Sequence, residues 1–200
     1  MISKATAIAC VLFASAAGAE DVLYSGALTE TQAQFSADTF IDAPGEDFEG
    51  FGDGEAVGVF GAFGGAVRFD PTFADGSPAP LPVVRTFAGA PSGNKWIVNT
   101  GTGRPAGSEW VFRPELANVN IYVFGLATIG DDLIRVQGFD AEANLVVSVD
   151  SQPIPDGAFT GFVSEVGVRR IVITPIGDGD LEAGIDDLSV SLVPGGLCVA

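Results

Sequence analysis

Short runs of β-branched and aromatic residues alternate with clusters of Gly, Asp, Asn and Pro over most of the chain. Such runs, with turn signals between them, are typical of strands in antiparallel sheets. Their number and spacing predict an all-β fold, an antiparallel sandwich or a barrel. From residue 47 onward the predicted strands are 57–60, 66–69, 83–87, 96–99, 109–113, 118–128, 133–139, 145–149, 159–163, 169–174 and 184–192.

The phase of the alternation predicts which strand faces are buried, because every second side chain of a strand shares a face. The run 118–128 is apolar on both faces at its centre, which indicates a buried middle strand. The run 133–139 alternates cleanly and indicates a half-buried strand. In the last run Leu188 and Val190 mark the inward face, and Asp186 has the same phase. A carboxylate facing inward must be paired or bind a metal, because an unpaired buried charge is costly.

The N-terminal part has a different pattern. Residues 22–24 form a short apolar run that predicts a strand. The sequence Thr29-Glu30-Thr31-Gln32 that follows has the spacing of a helix capping box. We therefore expect one short helix over residues 30–38, ahead of the predicted strands.

The first 19 residues have the pattern of a secretory signal peptide. Lys4 supplies the positive charge, 5–16 is almost wholly apolar, and Ala17-Gly18-Ala19 is a small-residue cleavage site. The apolar run is too short for a membrane-spanning helix. We expect an exported protein that begins at Glu20, lies in the periplasm or outside the cell, and has no membrane span after cleavage.

These patterns divide the chain into four parts. Residues 1–19 are the signal peptide, 20–46 an N-terminal strand and helix extension, 47–194 the sandwich domain, and 195–200 a C-terminal stub. Without the signal peptide 181 residues remain, which is the size of one domain. Cys10 is removed with the signal peptide, so Cys198 has no partner for a disulfide within the exported chain.

The charge of the chain narrows the classes of function. The exported form has eight basic and 26 acidic residues, a net charge of −18, and no His occurs anywhere. A strongly negative field disfavours nucleic acid and attracts divalent cations. Without His, the chain lacks the commonest general base and the Ser-His and Cys-His nucleophile pairs. A glycosidase that works with two carboxylates needs no His and stays open.

Two acidic clusters lie near opposite ends of the predicted domain. The first contains Asp47, Glu49 and Asp53 among glycines, and the second is Asp186-Asp187 in the last predicted strand. In the first cluster, period two places Asp47 and Glu49 on one side of a predicted strand. We expect this strand, at 47–51, to pair with the last one.

The motifs around these acidic residues resemble those of a known family of proteins. Phe48-Glu49 before a Gly/Asp turn, with the final 184–190 stretch Gly-Ile-Asp-Asp-Leu-Ser-Val, is similar to jelly-roll carbohydrate-binding modules of the galactose-binding-like type. The region 119–193 also resembles secreted bacterial jelly-roll proteins with a Val-Pro-x-Pro-Ala or Pro-Glu-Pro sorting tail. The resemblance implies a jelly-roll sandwich whose first and last strands hold a structural calcium. The apolar and basic parts of such a tail do not follow Val193-Pro194.

Calcium takes six to eight oxygen ligands from carboxylates and backbone carbonyls. Asp47, Glu49 and Asp186, with Asp53 or Asp187 nearby, are the candidate carboxylates, and the glycines of the first cluster free its carbonyls for ligation. The alternative is that Asp186 and Asp187 form a solvated strand end and that Glu49 accepts an ordinary hydrogen bond.

Two tryptophans are candidate platforms for sugar stacking. Trp96 and Trp110 both lie in apolar strands, so packing in the core is the competing interpretation. The region between them is polar and rich in Gly, which indicates a candidate binding loop with Asn99 and Arg104.

Three functions remain open from the sequence. The first is a non-catalytic binding or surface module with a structural calcium, in contact with polysaccharide or other extracellular matrix. The second is a glycan hydrolase or lyase that depends on carboxylates. The third is a structural envelope protein without a small ligand.

Overall fold

The computed structural model describes residues 21–39, 45–59, 63–73, 75–86, 90, 93–98, 108–129, 133–154, 156–176 and 184–192. The predicted signal peptide, Asn99, Arg104 and the C-terminal stub lie outside the described residues. Within them, no helix is long and apolar enough to span a membrane.

Two antiparallel sheets form the fold. The strands are β1 (Val22–Ala27), β2 (Thr72–Phe73), β3 (Val83–Thr86), β4 (Lys95–Val98), β5 (Ser108–Phe112), β6 (Ile121–Ile129), β7 (Leu133–Phe139), β8 (Leu145–Asp150), β9 (Ala158–Val168), β10 (Arg170–Ile176) and β11 (Gly184–Ser191). The larger sheet has six strands in the order β1-β9-β6-β11-β4-β3, and the smaller has five in the order β2-β5-β10-β7-β8. An α-helix, α1 (Leu28–Thr39), and a 3₁₀ turn, η1 (Pro114–Ala117), complete the described elements.

The strand order is that of a jelly roll. From β4 to β11 the chain fills β4-β11-β6-β9 in one sheet and β5-β10-β7-β8 in the other, with only β7 and β8 adjacent in both sequence and sheet. A double-sheet arrangement of eight such strands defines the jelly roll. The expectation of an all-β, antiparallel two-sheet jelly-roll sandwich with one short N-terminal helix is therefore confirmed.

The core lies between the sheets and is built by strict alternation. In β7, Ile134 and Val136 are buried and the residues between them are more exposed. In β10, Ile171 and Ile173 are fully buried and join the same cluster. Aromatic rings fill the centre, where the edge of Trp110 meets Phe69 with ring centroids 4.9 Å apart.

Helix α1 covers the outer face of the larger sheet. Phe35 is fully buried and packs between Tyr24 of β1 and Phe159 of β9, at centroid distances of 5.1 and 4.9 Å. Gly125 of β6 lies under this contact, and a Cβ there would overlap the Phe159 ring. The segment predicted as an extension thus supplies a strand and a helix to the sandwich.

The Tyr24 side chain links the sheet to the end of the helix. Its hydroxyl donates to Oδ2 of Asp38 at 3.1 Å. Burial, reinforced by the negative charge of Asp38 and by this hydrogen bond, raises the pKa of Tyr24 well above its ordinary value. The phenol therefore keeps its proton and remains a donor at neutral pH.

The boundaries differ from the predicted ones where turns interrupt the pattern. The segments 57–60 and 66–69 make only isolated bridges in their described residues, such as Val59 with Arg68, instead of strands. The run 118–128 begins its strand later, because Asn118 has a φ of 53° and caps η1. The helix is one turn longer than 30–38.

Truncation of Phe35 tests the packing of α1. We expect Phe35→Ala to lower the free energy of unfolding by about 3–5 kcal/mol, because a fully buried ring leaves a cavity. Urea denaturation measures this change. Leu23→Ala, on the same sheet and half exposed, should change stability by less than about 0.5 kcal/mol. Equal effects of the two variants would contradict the packing role of the helix.

Candidate functional site

The first acidic cluster lies beside the last strand, as expected, but over one residue pair only. Glu46 and Leu188 exchange two backbone hydrogen bonds of 2.9 and 3.0 Å. Beyond this bridge the chain turns away, with Phe48 at a φ of 57° and the Phe51 amide donating to the Phe48 carbonyl. The predicted strand at 47–51 is therefore wrong, because a left-handed residue bends the segment into a turn.

The carboxylates of this turn serve the backbone. Oδ1 of Asp47 accepts a hydrogen bond from the Glu49 amide at 3.1 Å. Oε1 of Glu49 accepts one from the Asn94 amide at 2.6 Å. Gly93 has a φ of 58°, and a Cβ there would overlap the Glu49 carboxylate, so this approach requires glycine.

A cationic side chain occupies the carbonyls of the same turn. Nζ of Lys95 donates to the carbonyl oxygens of Glu49 and Phe51, at 2.8 and 2.7 Å. These are carbonyls of the turn that we expected to ligate calcium. The ammonium group of Lys95 supplies positive charge at this position from within the chain.

Asp53 lies farther along the sheet. Its Oδ1 accepts from the Thr86 amide at 2.8 Å, and its Oδ2 is 4.0 Å from Nη1 of Arg85. Both partners belong to β3, which β4 separates from β11. Asp53 therefore stabilises the edge of the sheet, away from Asp186 and Asp187.

A β-bulge in β11 sets the position of the second acidic cluster. Asp186 pairs with Ala127 and Ser189 pairs with Gly125, so the register shifts between these residues. Asp187 is the inserted residue and has a φ of 48°. The inward phase predicted for Asp186 is wrong for this reason: Asp186 faces the α1 side of the sheet, whereas Leu188 faces the core.

The acidic pair of β11 is nevertheless buried. Asp186 is fully buried, and its Oδ1 accepts from the Asp187 amide at 2.8 Å. Asp187 is only 3% exposed, and its Oδ2 accepts from Nε2 of Gln32 in α1 at 3.0 Å. Among the described residues, Oδ1 of Asp187 and Oγ of Ser189 are buried without a hydrogen-bond partner. Two oxygen atoms close to each other in sequence thus lack the partners that burial demands.

The five predicted calcium ligands are not brought together. In the part of the chain that the structure describes, no group of three or more Asp, Glu, Cys or His side chains could hold a metal ion. Asp47, Glu49 and Asp53 each bind backbone amides elsewhere. Asp186 and Asp187 are adjacent in β11, and Oδ1 of Asp187 is buried without a hydrogen-bond partner among the described residues.

The two tryptophans have different environments. Trp110 is fully buried in the core, so its proposed sugar-stacking role is wrong and the core interpretation is confirmed. Trp96 is partly exposed on the outer face of the larger sheet, opposite Arg85 of β3. Its indole lies over Gly184 of β11, where a Cβ would overlap the ring.

Two residues of this region were not predicted from the sequence. Gln32 was assigned to a capping box, and nothing in its spacing indicated a contact with Asp187, 155 positions away. Lys95 carried one signal, since it is one of only nine basic residues in the chain. Its partners are backbone carbonyls, which a sequence does not distinguish.

Comparisons with known proteins assign no family. No family model matches the chain, and no curated protein matches it. Among solved structures, the enzymatically active domain of tailspike protein 4 from bacteriophage CBA120 aligns with 70% of this chain and 21% of that chain. The sequence identity is 11% and the TM-score 0.41. This chain spans about a fifth of that protein, and a similarity of this degree supports no argument about function.

Replacement of Lys95 tests whether its ammonium group holds the turn. We expect Lys95→Met to lower the free energy of unfolding by about 2 kcal/mol, because two charge-assisted hydrogen bonds are lost. Arg85→Met is the matched control, and its exposed ion pair should contribute less than about 1 kcal/mol. Chemical denaturation of both variants gives the comparison. A Lys95→Met protein as stable as the Arg85→Met protein would contradict this role.

Proposed function

We propose that the chain is a non-catalytic binding or surface module of an exported protein, and that it contacts polysaccharide through the outer face of the larger sheet. The proposal includes a structural calcium at Asp186 and Asp187. It rests on the environment of Trp96, a partly exposed aromatic ring on a sheet, and not on any similarity to a known protein.

The fixed position of Trp96 is the observation that supports the polysaccharide contact. Its ring packs over Gly184, and the pairing of Ile97 with Ile185 puts Trp96 next to Asp186 across the strands. A ring held in one orientation loses little conformational entropy when a sugar stacks on it. A sugar ring offers C–H groups to such a surface and hydroxyl groups to its polar surroundings.

The proposed calcium site includes fewer carboxylates than the sequence predicted. Asp187 has one carboxylate oxygen without a partner, and Asp186 lies next to it in a buried position. Calcium favours carboxylate and hydroxyl oxygens. It would neutralise charge that is costly to bury, and its role would be structural.

Hydrolysis remains the alternative function, and no described feature favours it. A glycosidase requires two carboxylates about 5–10 Å apart on either side of a bound sugar. Asp186 and Asp187 are buried at the α1 side of the sheet, and Glu49 binds a backbone amide. A structural envelope role without a small ligand is the third outcome that binding measurements distinguish.

A glycan screen of the exported protein tests the polysaccharide contact. We expect a glycan array to give positive signals and gels containing the corresponding neutral polysaccharide to retard the protein. Trp96→Ala should weaken this retardation about tenfold, since stacking on an aromatic ring contributes about 1 kcal/mol or more. Leu145→Ala removes an exposed apolar side chain from the other sheet and should leave binding unchanged.

Three other results would count against this proposal. Release of reducing sugars from a bound polysaccharide would indicate an enzyme. Equal losses in Trp96→Ala and Leu145→Ala would remove Trp96 as the platform. An array without any signal would favour the structural envelope role.

Chelation tests the calcium. If calcium binds only the folded protein, a hundredfold excess over its Kd stabilises by about 2.7 kcal/mol. Removal by EDTA should therefore lower the Tm by about 5–10 °C for a domain of this size. Asp187→Asn should abolish most of this difference, whereas Glu142→Gln, an exposed acid in the β7–β8 turn, should preserve it. A Tm restored equally by sodium or magnesium would indicate general screening of the −18 charge instead.

A further inference from the structure

The outer face of the smaller sheet carries basic residues, although the net charge of the chain is strongly negative. In β10, Ile171 and Ile173 point into the core, so Arg170 and Val172 point to the opposite face. Helix α1 packs on the larger sheet, against β1, β9 and β6. This second face is nevertheless partly covered, because its outward residues Val111 and Val172 are only 1% and 4% exposed.

Three arginines lie next to one another across this face. Phe69 pairs with Phe112, and Phe112 pairs with Ile171, so these three inward residues form a line across the strands. Each of these three residues has an arginine next to it in the chain, and the arginine points to the outward face. We call these three arginines, Arg68, Arg113 and Arg170, the arginine row. The Arg113 amide donates to the Arg68 carbonyl at 2.9 Å, which fixes this register.

A single carboxylate neutralises part of the row. Asp70 lies 3.6 Å from Nη2 of Arg68 and 3.4 Å from Nη1 of Arg113. Arg170 makes no ion pair in the described part of the chain, and its guanidinium lies 4.6 Å from the ring centroid of Phe139. Nε of Arg113 has no hydrogen-bond acceptor within the described residues. That nitrogen is itself buried, so what the row offers a ligand is the excess positive charge of three arginines beside one carboxylate.

The row is accessible to a ligand. The side chains of Arg68 and Arg113 are 49% and 38% exposed. Guanidinium groups present several donors in a planar fork that matches a carboxylate. Asp70 already demonstrates that two neighbouring arginines of the row can share one carboxylate.

We propose that the arginine row binds an acidic polysaccharide through the carboxylates of its uronic acid residues. Neighbouring guanidinium groups suit carboxylates that repeat along an extended polymer. Three of the nine basic residues of a strongly acidic chain lie in this one row. The row is therefore positively charged and complementary to a carboxylate polymer, although the net charge of the whole chain is negative.

The overall charge affects the rate of encounter more than the bound state. The −18 charge repels a polyanion at long range, but at 0.15 M salt charges beyond about 8 Å are largely screened. Contacts within the row act at less than this distance. We therefore expect binding at physiological ionic strength, and weaker binding at very low salt, where repulsion is not screened.

This proposal shares only the class of ligand with the proposed function. Trp96 lies on the larger sheet and the arginine row on the smaller one, so the two surfaces are separate. Loss of neutral-glycan binding in Trp96→Ala would concern only the Trp96 surface. Loss of polygalacturonate binding in the arginine variant would concern only the arginine row. Failure of one proposal is thus distinguishable from failure of the other.

Affinity electrophoresis and calorimetry with polygalacturonate at 0.15 M sodium chloride test the row. The double variant Arg68→Gln/Arg113→Gln should bind about tenfold more weakly, since charge-assisted bidentate contacts are lost. Arg85→Gln carries the same type of charge change on the other sheet and should stay within about twofold of the parent.

A gain-of-binding variant protects the test against loss of folding. Asp70→Asn removes the internal carboxylate that competes for Arg68 and Arg113, so affinity for polygalacturonate should rise. Glu142→Gln makes the same charge change at a distant turn and should not raise it. Equal effects of these two variants, equal binding of dextran sulfate, or no binding of polygalacturonate would overturn the proposal. Circular dichroism and the Tm of each variant confirm that it is folded.

Discussion

β11 runs through the middle of the larger sheet, between β6 and β4, and must bury both of its faces. One face meets the core of the sandwich and the other meets the side that α1 covers. A regular strand would place Asp186 and Leu188 on the same face. The extra residue at Asp187 reverses the phase between them, so Leu188 fills the core and Asp186 leaves it. The bulge thus keeps carboxylates out of the apolar core, where they would have no partners.

The same bulge explains why the helix is part of the domain. Turning Asp186, Asp187 and Ser189 away from the core puts polar groups on a face that is itself buried. Gln32 of α1 supplies a hydrogen bond to Asp187, and Phe35 supplies apolar packing on the same helix. The helix therefore joins a polar contact at one turn to an aromatic contact at the next. Neither β1 nor α1 is an appendage, although their sequence pattern differs from that of the strands.

The sequence was sufficient to predict a strand and its bounds wherever the alternation of apolar and polar residues continued without interruption. The bounds of β7 match the predicted run 133–139, and the predicted alternation agrees with the burial of Ile134 and Val136 in the core. Predictions failed where one backbone dihedral changed the phase. Phe48 and Asp187 are non-glycine residues with positive φ, a conformation that costs free energy and that composition does not reveal. Each is held by contacts with distant residues, so period two alone gave the wrong face.

The candidate site shows the same division between local and distant information. Residue types predicted calcium ligands near Glu49, but not that Lys95 would donate to the backbone carbonyl oxygens of this turn. Pairing across strands also decides how charge is distributed. Glu49 and Asp53 each accept a hydrogen bond from a backbone amide and Asp187 accepts one from Gln32. The register of the smaller sheet instead gathers Arg68, Arg113 and Arg170. Net charge governs solubility and long-range attraction, but at contact distance only the local arrangement acts. One face of an acidic sandwich can for this reason gather positive charge.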